Sequence, residues 1–166
     1  ANTSRSAYLA GQEDYRALYD LTKEREDGLY RLEKFSRRTK NDGTLAGYPT
    51  ASVFSSTMNS YVMDMYRELG MRHSKVFYSF DGATALTSAL LNVKYMFADS
   101  ADYENSLYSL VTGSGDIYLY ACEETLPFGY VLPYEMDLPS ASNGITVQNT
   151  LVKRLGVEGI LFQDAD

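Results

Sequence analysis

The segment TALTSALLNVKYMF, residues 84–97, decides how this chain folds. Its helical part, from about Thr84 to Asn92, places Leu86, Ala89 and Leu90 on one inward side. The next five residues, VKYMF, are rich in the β-branched and aromatic side chains that strands favour. A helix that runs almost directly into a strand indicates a domain in which helices pack on a sheet.

The sequence after this segment predicts further strands. Residues 107–111 and 116–122 flank the link TGSG at 112–115, and a short glycine-bearing link favours a β-hairpin. Residues 128–132 lie between two prolines, which indicates a short strand at an edge or a boundary. A final strand is expected at residues 157–162.

The clearest helix is predicted from the apolar stripe over residues 58–69. A hydroxyl of Ser55, Ser56 or Thr57 can cap its first turn by accepting a hydrogen bond from an unpaired amide. Gly70 can end the helix in a left-handed conformation. The stripe consists of Met58, Tyr61, Val62, Met65, Tyr66 and Leu69.

The N-terminal part predicts one helix followed by one strand. The helix covers residues 7–26, and Gly28 is its expected stop. Residues 29–35 alternate as in a strand with one buried face, which we assign to Tyr30 and Leu32.

The remaining segments are a long loop and a last helix. Residues 37–55 contain the turn residues Asn, Asp, Gly and Pro, and a loop of that length inside a compact domain is often functional. Residues 146–155 have helical apolar spacing and end near Gly156. The pattern predicts one α+β domain over residues 1–166, with a mixed or mainly antiparallel sheet packed by about four helices. Residues 1–28 would form its N-terminal helix and residues 29–166 its core.

Composition excludes several classes of function. The chain has 15 Lys and Arg against 22 Asp and Glu, a formal net charge of -7, so nucleic acid is not an expected partner. A single Cys and a single His exclude an internal disulfide and a Cys/His zinc site. The longest uncharged stretch, residues 43–63, is too polar to cross a membrane.

Motifs for catalysis and metal binding are weak. His73 is the sole histidine, and no serine lies in a nucleophile elbow. The TGSG link lacks the spacing and the lysine of a phosphate-binding loop. The oxygen ligands Asp99, Asp102, Glu104 and Asn105 do not follow calcium-loop spacing, which favours a solvated loop over a metal site. We therefore expect no metal, no cofactor and no catalytic residue in this chain.

Five segments resemble a known family. They are FSSTMNSYVMDMYRELGM (54–71), YSFDGATALTSALLNVKYMFADS (78–100), ENSLY (104–108), TLPFGYVLP (125–133) and VQNTLVKRLG (147–156). Together they resemble the extracytoplasmic portion of the YfhO family of bacterial membrane proteins. The resemblance runs from about Tyr30 to the end, whereas residues 7–26 match nothing that we can place.

The resemblance implies a multi-pass membrane protein similar to GT-C glycosyltransferases. Such enzymes transfer a sugar from a polyprenyl-phosphate carrier to a cell-envelope acceptor such as teichoic acid. Their catalytic acid lies in an early extracytoplasmic loop between membrane helices, so no catalytic residue can be carried over to this chain. The expected role is accessory, on the extracytoplasmic face of a bacterial cell membrane, with membrane helices elsewhere in the protein. An alternative role is purely structural, bracing the membrane part or mediating self-association.

The candidate binding residues lie in and just after the long loop. The basic cluster of Arg37, Arg38 and Lys40 could bind a polyol phosphate or lipid phosphate, and Tyr48 could stack on a sugar. The serines and the asparagine could bind hydroxyl groups, although the serines could instead cap a helix. The expected partners are the protein's own membrane part and a cell-envelope glycan or polyprenyl-phosphate-linked sugar. The predicted ligand-binding residues are Arg37, Arg38, Lys40, Tyr48, Ser55, Ser56 and Asn59.

Overall fold

The computed structural model describes residues 4–129, 131, 143–157 and 162. Its helices are α1 (Arg5–Leu9), α2 (Gln12–Arg25), α3 (Asp42–Ala46), α4 (Ser60–Glu68), α5 (Ala85–Leu90) and α6 (Gly144–Arg154). Its strands are β1 (Arg31–Lys34), β2 (Val53–Phe54), β3 (His73–Ser74), β4 (Phe77–Tyr78), β5 (Val93–Ala98), β6 (Ser109–Ser114) and β7 (Ile117–Ala121). The predicted mixture of helices and strands is confirmed.

A four-stranded sheet in the order β1-β5-β7-β6 organises the domain. β1 runs parallel to β5, and the other two pairings are antiparallel, so the predicted mixed sheet is confirmed. Side chains on β5 alternate between two hydrophobic clusters. Tyr95 and Phe97 lie in one cluster with residues of α2 and α3, whereas Met96 and Ala98 lie in the other with residues of α4 and α6. Both faces of the sheet are therefore covered.

The short helix α3 and strand β2 lie inside the segment predicted as a long loop. The side chain of Asn41 substitutes for a strand partner there. Its Nδ2 donates to the Phe54 carbonyl at 3.0 Å, and its Oδ1 accepts from the Phe54 amide at 2.7 Å. β2 then joins β4 and β3 in a second, three-stranded antiparallel sheet. The prediction of one long loop was wrong because β2 pairs with β4, which lies beyond α4 in the chain, and the Asn41 side chain binds Phe54 as well.

Helix α4 begins later than its sequence predicts. Asn59, and not a serine or threonine hydroxyl, caps it by accepting from the amides of Tyr61 and Val62. Tyr61 is 83% exposed, so its place in the buried stripe was wrong. Tyr66 is buried and donates its hydroxyl proton to the Ala51 carbonyl. Gly70 follows the helix with φ +75°, which confirms the left-handed stop.

The N-terminal helix is interrupted. Residues 7–26 were predicted as one helix, but α1 and α2 are separated at Gly11, which has φ +78°. Gly28 does not take the left-handed conformation expected of a stop, and the cap residue of α2 is Glu26. Tyr30 and Leu32 are buried as predicted, although the opposite side of β1 is also covered.

The elements around the deciding segment follow the predictions most closely. The β6–β7 hairpin is confirmed, but residues 112–114 of the predicted link lie in β6, and the turn is at residues 115 and 116, with Gly115 at φ +56°. α6 is confirmed, with Val147, Leu151 and Val152 buried. In α5 the inward leucines are partly buried, while Thr87 and Ser88 are the fully covered side chains. Residues 128, 129 and 131 are not in a strand, and the rest of the two C-terminal strand predictions lies almost wholly outside the described residues.

The end of α4 and the start of α6 meet at two glycines. A Cβ on Gly144 would lie 2.5 Å from both the Cα and the N of Gly70, which is closer than real side-chain contacts allow. Gln148 reinforces the junction, since its Nε2 donates to the Leu69 carbonyl at 2.7 Å and its Oε1 accepts from the Thr84 hydroxyl at 2.6 Å. The junction therefore requires glycine for backbone approach.

Replacing Gly144 by Ala should lower the free energy of unfolding by about 1–3 kcal/mol, because the added methyl group must displace backbone atoms. Urea denaturation of the 166-residue chain measures this change. Gly28→Ala is the matched control, since a Cβ there meets no atom within 4 Å and should change stability by less than about 0.5 kcal/mol. Equal effects of the two variants would contradict the assignment of a close junction.

Candidate functional site

The parallel strands β1 and β5 end at the same edge of the sheet, where Lys34 pairs with Phe97. In sheets that contain parallel strands, ligands commonly bind beyond these carboxyl ends. The chain leaves β1 through residues 35–41 and leaves β5 through residues 99–105. Both exits line a common pocket, so this edge is the candidate site.

A buried ion pair anchors the exit from β1. The Glu33 carboxylate is 1% exposed and faces the Arg37 guanidinium, whose Nη1 donates to Glu33 Oε2 at 2.9 Å. The other carboxylate oxygen accepts from the Thr50 hydroxyl and from the Ala51 amide. Burial of a charge is tolerated only when it is paired and hydrogen-bonded, and both conditions hold here. Arg37 therefore stabilises the fold, and only a small part of its side chain is exposed.

A second buried pair holds the start of α3. Lys34 Nζ lies 3.2 Å from Asp42 Oδ2, and both side chains are almost fully covered. The Asp42 carboxylate also accepts from the amides of Arg38 and Thr39 and from the Thr39 hydroxyl. Burial alone would raise the pKa of Asp42, but these hydrogen bonds and the Lys34 charge outweigh it, so the pKa lies below its ordinary value.

Three cations converge on Asp81, which follows β4. Arg37 Nη2 donates to one carboxylate oxygen, while Lys40 Nζ and Arg72 Nη1 lie 3.6 and 3.7 Å from the other. These last two distances exceed those of hydrogen bonds. Lys40 also lies over the Phe77 ring, 4.4 Å from its centroid. Burial, followed by the charges of Arg72 and Arg37, lowers the pKa of Lys40.

We call Arg38, Lys40 and Arg72 the cationic rim. Arg38 is exposed in the same segment as Lys40, and the Arg72 side chain is about two-thirds exposed. Within a chain of net charge -7, the rim is a local concentration of positive charge. Such a surface can attract phosphate groups at close range even when the whole chain is acidic.

Beside the rim lies a pocket of about 270 Å³, which we call the β1–β5 pocket. Its polar walls include Arg37, Asp81 and Asn105, and its aromatic walls include Phe35 and Tyr103. The Phe35 and Tyr103 rings are stacked, with centroids 3.8 Å apart and planes inclined by 17°. The pocket thus combines a rigid aromatic wall with charged and amide groups.

Several predicted ligand contacts have structural roles. Tyr48 is 5% exposed and packs edge-on against Phe97, so burial raises its pKa and leaves no open ring face for a sugar. The Ser55 hydroxyl accepts from the Thr57 amide, and Asn59 caps α4. Ser56 is exposed. The structure thus brings Arg37 and Lys40 together at Asp81, keeps Arg38 in their segment, and removes Tyr48 from the surface.

Sequence reasoning missed Glu33, Asp81 and Arg72. Glu33 occupies the polar phase of an alternating strand, which reads as solvent-exposed until the partner Arg37 is known. Asp81 precedes Gly82 in what reads as an ordinary turn. No local signal connects Arg72 with the basic residues near position 40, because the contact arises from tertiary folding.

The chemically reactive residues lie apart from this site. His73 is exposed in β3, with Nδ1 3.0 Å from the Met71 carbonyl oxygen. Cys122 is buried, and burial raises the pKa of its thiol. Within the described part of the chain, no group of three His, Cys, Asp or Glu side chains is placed to hold a metal ion. Of the oxygen ligands considered in the sequence, Asn105 uses its Oδ1 to accept hydrogen bonds from the amides of Leu107 and Tyr108.

Comparison with known proteins identifies the family. No curated protein and no solved structure matches the chain. The model of the family described as bacterial membrane protein YfhO matches residues 1–164, which includes the N-terminal region that the sequence resemblance did not place. No helix among the described residues is long and apolar enough to cross a membrane. Because the match covers nearly all of its residues, the chain belongs to the YfhO family of bacterial membrane proteins.

Proposed function

We propose that this chain is a non-catalytic, extracytoplasmic domain of a glycosyltransferase-like membrane protein that uses a polyprenyl-phosphate-linked sugar. Its role is to recognise or position a cell-envelope acceptor that carries phosphate groups, such as a teichoic acid. The cationic rim beside the β1–β5 pocket is the observation that carries the proposal. Family membership supports the membrane context.

The rim suits a phosphodiester because Lys40 and Arg72 are not fully used within the described part of the protein. Lys40 and Arg72 approach Asp81 only at ion-pair distance, so their N–H groups can donate hydrogen bonds to an added anion. Arg37 holds Asp81 in place and is itself held by Glu33. A phosphate would therefore meet a fixed arrangement of charge. Among the other predicted contacts, the exposed Ser56 can hydrogen-bond an acceptor hydroxyl, whereas the buried Tyr48 is not accessible to the acceptor.

The test is an NMR titration of the 166-residue chain with glycerol-phosphate oligomers at low salt. Amide shifts are expected at residues 38–41 and 72. Lys40→Gln with Arg72→Gln should weaken binding about two- to thirtyfold, since each of the two ion contacts contributes about 0.2–1 kcal/mol. The shifts should fall as salt rises, because exposed charges are screened.

A charge-matched control separates the rim from net charge. Arg16→Gln with Lys23→Gln removes two exposed cations from α2 and should leave the affinity unchanged. If both double variants weakened oligomer binding equally, binding would depend on the net charge of the chain and not on the cationic rim. An absence of shifts near residues 38–41 and 72 at millimolar oligomer would remove the acceptor proposal.

A second candidate is a structural role, in which the domain braces the membrane part or associates with itself. Large exposed side chains favour it, notably Leu29, Tyr61 and Val131. Sedimentation of the chain over a range of concentrations, compared with Tyr61→Ser, tests self-association. A dimer that dissociates in the variant, together with no response to glycerol phosphate, would favour the structural role.

A further inference from the structure

The aromatic wall of the β1–β5 pocket is rigid. Phe35 stacks on Tyr103 and also makes edge-on contacts with Tyr108 and Tyr120, at centroid distances of 5.9 and 5.8 Å. The Tyr120 hydroxyl accepts from the Tyr103 amide at 3.1 Å, which fixes the backbone beside the ring. Tyr103 nevertheless remains 38% exposed. It therefore presents a fixed, amphipathic surface to a ligand.

Two hydrogen-bond donors, on Asn105 and Tyr103, have no acceptor among the described residues. Asn105 uses only its Oδ1, which accepts from the backbone, and its Nδ2 has no acceptor among the residues that the structure describes. The Tyr103 hydroxyl likewise has no hydrogen-bond partner within the described ranges. The backbone contacts of Asn105 Oδ1 orient the amide, so that its two N–H groups are the free donors.

Asp81 supplies the complementary acceptor. Its side chain is 40% exposed, with one oxygen paired to Arg37. The other oxygen accepts from the Ser79 hydroxyl at 2.7 Å and lies 3.6 and 3.7 Å from Lys40 and Arg72. A carboxylate offers about four acceptor positions, so further hydroxyl donors can be accommodated. Arg37 offsets the charge of Asp81 at the pocket wall, so a neutral hydroxyl group can donate to the exposed part of this carboxylate.

We propose that the β1–β5 pocket binds one neutral pyranose unit. The apolar face of the sugar packs on Tyr103, and its hydroxyls donate to Asp81 and accept from Asn105. The volume of about 270 Å³ lies just below the roughly 300–1,000 Å³ typical of pockets for drug-sized ligands, which suits a single sugar ring. The inference deepens the proposed function and rests on it, since a glycosylated phosphate polymer would place its sugar here and its phosphate at the cationic rim.

The test is an NMR titration of the 166-residue chain with methyl α-glucopyranoside and methyl β-galactopyranoside, which carry no phosphate. Millimolar binding of at least one sugar is expected, with shifts at Phe35, Asp81, Tyr103 and Asn105. Tyr103→Leu should weaken binding about three- to tenfold, because a ring contact is worth about 0.5–1.5 kcal/mol. Asn105→Asp should weaken it comparably while keeping the oxygen that accepts from the backbone.

Controls keep the result independent of folding and of the phosphate proposal. Tyr61→Leu removes an exposed tyrosine that does not line the pocket and should leave sugar binding unchanged. Shifts with glycerol phosphate but with neither pyranoside would overturn the pocket inference and leave the proposed function standing. Shifts with a pyranoside alone would support the pocket and remove the phosphate part. Sugar shifts that survive in both pocket variants would also overturn it.

Discussion

Replacing Arg37 by Met should lower the free energy of unfolding by about 3–5 kcal/mol, the loss typical of breaking a buried ion pair. The Arg37 side chain is 11% exposed, and its removal would leave the buried Glu33 carboxylate without a countercharge. Methionine keeps the unbranched hydrocarbon stem, so the loss is mainly electrostatic. Urea denaturation at neutral pH measures it.

A double variant separates the charge from the packing. In Glu33→Gln with Arg37→Met, the neutral amide can still accept from Thr50 and Ala51, so part of the lost stability should return. Arg16→Met removes an exposed arginine and should change stability by less than about 0.5 kcal/mol. A single Arg37→Met variant as stable as this control would show that the network does not hold the β1 exit.

Replacing Asp42 by Asn should also cost about 3–5 kcal/mol at neutral pH, because Lys34 would stay buried without a countercharge. The effect should depend on pH. The pKa of Asp42 is lower in the folded chain than its unfolded value of about 3.9, so its stabilisation is complete above that value. It is lost as the pH falls through the lower, folded pKa.

The measurement is urea denaturation of both proteins from neutral pH to below pH 4. The difference between wild type and Asp42→Asn should narrow only at the acidic end. Asp64→Asn is the matched control, since Asp64 pairs with Arg67 at the surface of α4, where both side chains are at least half exposed. Such pairs contribute about 1 kcal/mol at most. A constant difference down to the lowest pH would exclude the Asp42 carboxylate as the titrating group.

How well the sequence predicted the fold depended on whether the relevant contacts are local. The hairpin and α6 follow from turn chemistry and apolar spacing within each segment, and both are confirmed. β2 was missed because its backbone partners, Phe77 and Tyr78, lie far along the chain, beyond α4. The Asn41 side chain, which also binds Phe54, lies twelve positions before Val53. Tyr61 was wrongly predicted to be buried, because apolar periodicity does not show which part of a helix other elements cover.

The candidate site was predictable only in part. The run from Arg37 to Lys40 stood out because three of its four residues are basic in a chain of net charge -7. Within this run Arg37 is buried against Glu33, whereas Lys40 is partly exposed beside Asp81. The sequence does not show this difference, because Glu33 and Asp81 are far apart in the chain. Tyr48 shows the same limit, since an aromatic residue in a predicted loop lies in the core.

The parallel pairing of β1 with β5 has a consequence for where the charges of the candidate site lie in the chain. Everything between the two strands, residues 35–92, is a single excursion that leaves one strand and returns to its neighbour. Lys40, Arg72 and Asp81 all belong to that excursion, while the β5–β7–β6 part of the sheet is built from later residues. Substitutions at exposed positions of this excursion can therefore change the charge at this edge without altering the register of β5, β7 and β6.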